Sequence, residues 1–181
     1  PMRRIHLAPV LALVALLIPL AGTAQDVGGF RGALLADLDG LEQKYMALAG
    51  AVAADDYDWR PVEGVRSIAE AYAHVAGGTY FYAGTFAEGR PADVGVPNAP
   101  ENLEEVTDKE QVMALLEHAF DHARQVIRST PDSELDSEVD VFGRSMPVRA
   151  MMLGIVTHMH EHLGQSIAYA RSIGVAPPWS M

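Results

Sequence analysis

The sequence predicts an all-α protein, a four-helix bundle with long inter-helix loops and one short hairpin before the last helix. Three observations carry this. Four stretches repeat apolar residues at three- and four-residue spacing, each over several helical turns. The one stretch that alternates apolar and polar residues is too short to build a sheet of its own. A chain of 181 residues holds one ordinary domain beyond its apolar N-terminus, and four amphipathic helices close most economically as a bundle.

In chain order, Arg3 and Arg4 precede the apolar run "LAPVLALVALLIPLAG" and then small residues up to Ala24. Charged, then apolar, then small is the order of a secretory signal peptide, predicted at 1–24 with the bundle domain at 25–181. Pro9 and Pro19 interrupt the run and leave it short of the roughly 20 residues that span a bilayer, so cleavage is expected rather than a retained anchor. The expected location is exported, periplasmic or extracellular.

The first helix is predicted from Gly28 to Leu48, and "ADDYDWRPVEGV" breaks it. The second runs from Ser67 to Phe86. Its opening, Ser67-Ile68-Ala69-Glu70, is a capping box, with the hydroxyl accepting from the Glu70 amide and the carboxylate from the Ser67 amide. "EGRPADVGVPNAPENLEEV", with three prolines and two glycines, is a long loop. The third helix runs from Asp108 to Ser129. "VDVFGRSMPV" supplies the hairpin, turning at Gly143-Arg144. The fourth helix runs from Val148 to Ile173, with Gly174 as its stop and Pro177-Pro178 beyond.

Charge narrows the partners. Without Arg3 and Arg4, 11 basic side chains face 24 acidic ones, a formal charge of −13. Such a chain repels phosphate backbones and anionic lipid, so neither nucleic acid nor, after cleavage, membrane is an expected partner. A small molecule is, and a homodimer is among the assemblies a bundle allows. The chain has no cysteine, which removes disulfides and a thiol nucleophile together.

Seven histidines remain as candidates. At 100° per residue, Ile155, His158, His162, Gln165, Tyr169 and Ile173 share one stripe roughly 80° wide, and His160 falls about 180° away on the solvated face. An i, i+4 pair sets two imidazoles side by side, as a shared metal requires. Two core histidines satisfied by hydrogen bonds would have the same spacing. His118 and His122 are also i, i+4, but lie off the buried stripe of the third helix beside Glu117 and Asp121, and are expected at the rim. His74 lies about 100° off the main stripe of the second helix, so periodicity does not select it. Its own face carries Ser67, Ala71, Gly78 and Thr85, all small, which suits a close helix approach or a cavity.

"YDWRPVEGVRSIAEAYAHVAGG" and "HMHEHLGQSIAYARSIGVAPPWS" together resemble the DinB/YfiT-like superfamily. The resemblance covers about Gly28 to Trp179 and rests on Trp59-Arg60-Pro61, the Ser67-Ile68 run ending at His74, and His158, His162, Gly164 and Gln165. It implies a four-helix bundle in which His74, His158 and His162 bind a divalent metal, zinc or nickel. Some members are transferases or isomerases that use low-molecular-weight thiols. Taken with the leader, the resemblance points to an exported, divalent-metal-dependent enzyme of transferase or hydrolase type, with a small thiol as a candidate cosubstrate; the leader itself departs from the family pattern. The alternative is a periplasmic module that holds a metal or small ligand without turnover.

No catalytic residue is assigned from the sequence. H-E-x-x-H is absent, and Glu161 lies about 80° to the side of the ligand stripe. Gln165 is expected to satisfy an imidazole. Tyr72, Tyr80, Tyr82 and Tyr169 are expected mainly in the core, with Trp59 plugging one end of the bundle and Trp179 sealing the C-terminus.

Overall fold

Helices form where apolar periodicity and capping chemistry agree. A computed structural model of the chain describes residues 27–180, and the leader predicted at 1–24 lies outside the described residues. Helix α1 is Gly29–Ala51, α2 is Ile68–Gly84 and α3 is Lys109–Ser129. Strands β1 (Glu138–Val141) and β2 (Arg144–Pro147) form an antiparallel hairpin, and α4 (Val148–Ser172) follows it directly. The capping box of α2 is complete, with the Ser67 hydroxyl accepting from the Glu70 amide at 3.2 Å and a Glu70 oxygen accepting from the Ser67 amide at 2.7 Å. Asp108 caps α3 by accepting from the Gln111 amide at 3.0 Å. Gly174, at φ +82°, stops the chain beyond α4 in a conformation that glycine adopts without penalty.

Both α1 and α2 pack against α3 and α4, so α1 sits diagonally across the bundle from α2. The two long connections allow this arrangement. The core between them is aromatic at its centre. Tyr45, Tyr72 and Phe120 are almost wholly buried, with ring centroids 6.1 Å (Tyr45–Tyr72) and 5.7 Å (Tyr45–Phe120) apart. The Tyr45 hydroxyl donates to the Met159 carbonyl at 2.6 Å, which satisfies a polar group that burial would otherwise penalise by a few kcal/mol.

Three local features differ from expectation. The hairpin turns at Phe142-Gly143, one residue earlier than predicted, because Val141 pairs with Arg144. Both turn residues have positive φ, +52° and +77°, as a two-residue turn between right-twisted strands requires. The long loop before α3 carries a helical turn, Leu103–Glu105, that packs on α2 through buried Leu103. In the C-terminal "APPWS" segment Pro177 is buried and the short turn packs beside α1, but Trp179 itself remains 40% exposed. Trp59 does pack edge-on against Tyr169, with centroids 5.6 Å apart.

Candidate metal centre

Two residues of α4 and one of α2 build the centre. His158 and His162 stand one turn apart on the inward face of α4, ring centroids 4.5 Å apart. His74 of α2 faces both, at 5.1 Å from His158 and 4.7 Å from His162. One ring nitrogen from each lies within 4.8 Å of the others, and the Nε2 atoms of His74 and His158 are 3.3 Å apart. The approach depends on Gly78, one turn beyond His74. A methyl group there would come within 2.1 Å of His158 Cε1, so only glycine leaves room for that imidazole. The small-residue face of α2 is therefore the cavity that receives a histidine from α4.

Ring orientation is fixed from outside the cluster. His74 Nδ1 donates to Glu104 Oε1 at 2.8 Å, and Arg66 holds the same carboxylate through contacts of 2.9 and 3.0 Å. His162 Nδ1 donates to Gln165 Oε1 at 2.7 Å, and Gln165 Nε2 donates to the Tyr169 hydroxyl at 3.0 Å. With Nδ1 carrying the proton in both rings, both Nε2 lone pairs are free, which is the tautomer that metal-binding histidines adopt when a carboxylate or amide oxygen orients them. His158 Nδ1 is buried with no hydrogen-bond partner. The residues present therefore fit a divalent ion: three imidazoles, two of them oriented, and one buried ring nitrogen, His158 Nδ1, without a partner.

Burial favours the neutral form of two of the rings. Burial, followed by the charges His162, His74 and Arg66 would present, pushes His158 down to about 4. Burial also lowers His74, against the raising effect of its bond to Glu104. For Glu104, burial works upward, but the Arg66 and His74 bonds outweigh it and hold the carboxyl below its ordinary range. Neutral imidazole is the form that ligates a metal.

The other candidates are placed elsewhere. His160 points outward, as expected, and its Nε2 lies 2.9 Å from Asp37 Oδ2. Glu161 is exposed, and Gln165 satisfies an imidazole as expected. His118 is exposed at the rim. His122 is not at the rim: it is 6% exposed, and its Nε2 donates to the Glu88 carbonyl at 2.8 Å. The loop leaving α2 folds over that side of α3 and buries a position that helical periodicity places at the edge. Tyr72 and Tyr80 are core residues, whereas Tyr82 is half-buried with its ring 5.9 Å from His158. Sequence reasoning missed Glu104 and Arg66. The available signal was Leu103 and Val106, two apolar residues that anchor the loop and hold the acid between them against α2.

Two open cavities flank the His74–Glu104 pair, of about 530 Å³ along α2 and about 930 Å³ toward Arg60, Gln165 and Tyr169. His74 thus borders space that a small molecule can enter.

A family model described as the DinB superfamily matches residues 37–166. The uncharacterized protein YjoA of Bacillus subtilis strain 168 is 24% identical over 130 residues, spanning 70% of this chain and 80% of its own. Among solved structures, a DinB-like protein from Bacillus cereus ATCC 10987 aligns with a TM-score of 0.65 at 15% identity, covering 80% of this chain and 93% of that one. The crystal structure of YjoA aligns with a TM-score of 0.61 at 19% identity, covering 78% and 92%. At these identities the structural likeness establishes the fold, and all three residues of the histidine cluster fall inside the matched span.

Proposed function

Because the chain belongs to the DinB superfamily, we propose that it is an exported metal-dependent enzyme of transferase or hydrolase type, with His74, His158 and His162 as the ligands of a zinc or nickel ion. The observation that supports this best is the convergence of three imidazoles from two helices, two of them oriented by Glu104 and Gln165. A divalent ion held by three protein ligands keeps a position for water or for a small anionic or thiol ligand, and supplies Lewis acidity there. The chain's own residues do the rest. Gly78 clears the space for His158, Arg66 and Glu104 fix the His74 ring, and the flanking cavities admit the substrate. With no cysteine in the chain, any thiol in the reaction comes from a cosubstrate.

The second reading, a binding module without turnover, draws on Glu104. It is the carboxylate nearest the histidines, and both its oxygens are engaged by Arg66 and His74, which leaves it poorly placed to move a proton in substrate. Elemental analysis of protein purified without chelator or histidine tag tests the metal, with one ion per chain expected. Cobalt substitution followed by added azide or a small thiol tests the ligand position, and an unchanged absorption spectrum counts against it. Turnover of thiol-acceptor, ester or amide substrates that disappears in His74→Ala decides for the enzyme, and binding without turnover decides for the module. Export is tested by the mature N-terminus of secreted protein, expected at Gln25, and a homodimer by sedimentation.

A further inference from the structure

The cavity along α2 is built for more than access. Its helical floor is Ala73, His74, Gly77, Tyr80, Phe81 and Gly84, positions that recur at three- and four-residue spacing on one face. From His74 to Gly84 that face extends about 15 Å at 1.5 Å per residue. His74 and Glu104 stand at one end. At the other, Gly89 packs so closely on Gly84 that a methyl group added to it would come within about 3.2 Å of the Gly84 Cα, and Arg90 follows at the groove.

Two polar groups at this second end are incompletely matched, the Tyr80 hydroxyl without any partner and Arg90 without a carboxylate. Tyr80 is 3% exposed, and its hydroxyl has no hydrogen-bond partner although the residue lines the groove. Burial raises this phenol far above its usual range, so it keeps its proton and can donate. Arg90 donates to the Glu101 carbonyl at 2.8 Å and the Ala99 carbonyl at 3.4 Å, and no carboxylate lies within ion-pair distance of it among the described residues. Glu104, an acid in the lining, is already matched by Arg66. Between the two ends the floor along α2 is apolar, while Thr85, Glu101 and Asn102 complete the lining. Gly77 has open space where a side chain would project, and Phe81 is 46% exposed. Phe142 stacks on Phe81 with centroids 5.7 Å apart and planes 14° apart, from a turn position at φ +52° that a bulky residue rarely adopts.

We propose that this groove binds an amphipathic organic acid, its anionic end on Arg90 and the Tyr80 hydroxyl, its apolar body across Gly77 and Phe81, and its far end beside His74. The inference rests on the metal reading for what happens at that far end, and on the groove alone for recognition. A guanidinium held only by neutral carbonyls, next to an unsatisfied phenol, suits an acceptor with charge, and a carboxylate supplies both oxygens at once.

The test is calorimetric titration of the zinc-loaded full chain with 4-phenylbutyrate and, separately, 4-phenylbutylamine, which share an apolar body and differ in the sign of the end. The acid is expected to bind with a dissociation constant below about 1 mM, and the amine at least about tenfold more weakly. Arg90→Gln is expected to weaken the acid about tenfold or more, and Gly77→Leu, whose side chain enters open space, to abolish binding with the bound zinc unchanged in both. Equal affinity for acid and amine, or variants that bind the acid as the wild type does, would overturn the proposal. Stoichiometric zinc without acid binding overturns the groove and leaves the metal reading standing. Acid binding with the same variant sensitivity in a chain that holds no metal supports the groove and overturns the metal reading.

Discussion

The bundle contains two histidine pairs at the same i, i+4 spacing, and they do different work. On α4, His158 and His162 turn toward α2, where Gly78 leaves a hollow and His74 waits opposite. On α3, His118 and His122 also meet the α2 side of the molecule, but what faces them is the loop that follows α2. Gly95 lies so close to His118 that an added methyl would come within 2.4 Å of Cδ2, and His122 holds the Glu88 carbonyl while its ring sits 5.3 Å from that of Tyr80. One pair is offered a third imidazole and the other a backbone. Spacing on a helix therefore supplies a pair of donors, and the element packed opposite decides whether they can gather an ion or clip a loop.

This contrast can be broken at several points. The largest effect is expected at the pair itself: His158→Ala or His162→Ala should each abolish stoichiometric metal, while the double variant His118→Ala, His122→Ala should keep about one ion per chain by elemental analysis. Metal loss in the double variant would show that the wrong pair has been assigned. Next comes the hollow. Gly78→Ala should displace the His158 ring, destabilise the fold by about 1–3 kcal/mol in denaturant unfolding and sharply reduce bound metal. A variant with wild-type stability and metal content would mean the ring can move aside freely.

Smaller effects belong to the outer supports. Glu104→Gln should weaken metal affinity about 10- to 100-fold in chelator competition, because the His74 ring loses its charged anchor. His122→Ala should cost about 1–3 kcal/mol of stability by emptying a buried site and breaking the ring's bond to the Glu88 carbonyl, with bound metal unchanged. His160→Ala should do the least: its exposed pairing with Asp37 predicts unchanged metal and a stability change within about 0.5 kcal/mol.

The α4 half of the centre was legible in the sequence because that helix has one inward stripe, and 3.6-residue periodicity places His158 and His162 on it and His160 off it. The α2 half was not, and the reason is geometric. Helix α2 packs against α3, α4 and the Leu103–Glu105 turn, so Ile68, Ala71, Tyr72, Val75, Ala76 and Tyr80 are buried around much of its circumference. A helix covered on several sides has no single stripe to read, and His74 came from the resemblance alone. Periodicity also misjudged His122, since a pattern along one helix carries no record of a loop that later folds across it. Glu104 was hidden for the same reason: its role depends on Arg66, 38 residues away, and on α2, and no local spacing encodes either contact. The capping box at Ser67 was fully legible because all its parts lie within one turn.

His74 and His158 stand 84 positions apart along the chain and meet across 3.3 Å. An ion shared between them would act as a reversible tether that closes nearly half the polypeptide into a ring, in a molecule that has no cysteines to do so by covalent means. Closing a long segment restricts the unfolded ensemble most, and an ion that binds only the folded form raises resistance to unfolding by about 2.7 kcal/mol when its free concentration is a hundred times its dissociation constant. The durability of this chain would then follow the supply of metal around it, loosening where chelators are abundant and tightening where they are scarce.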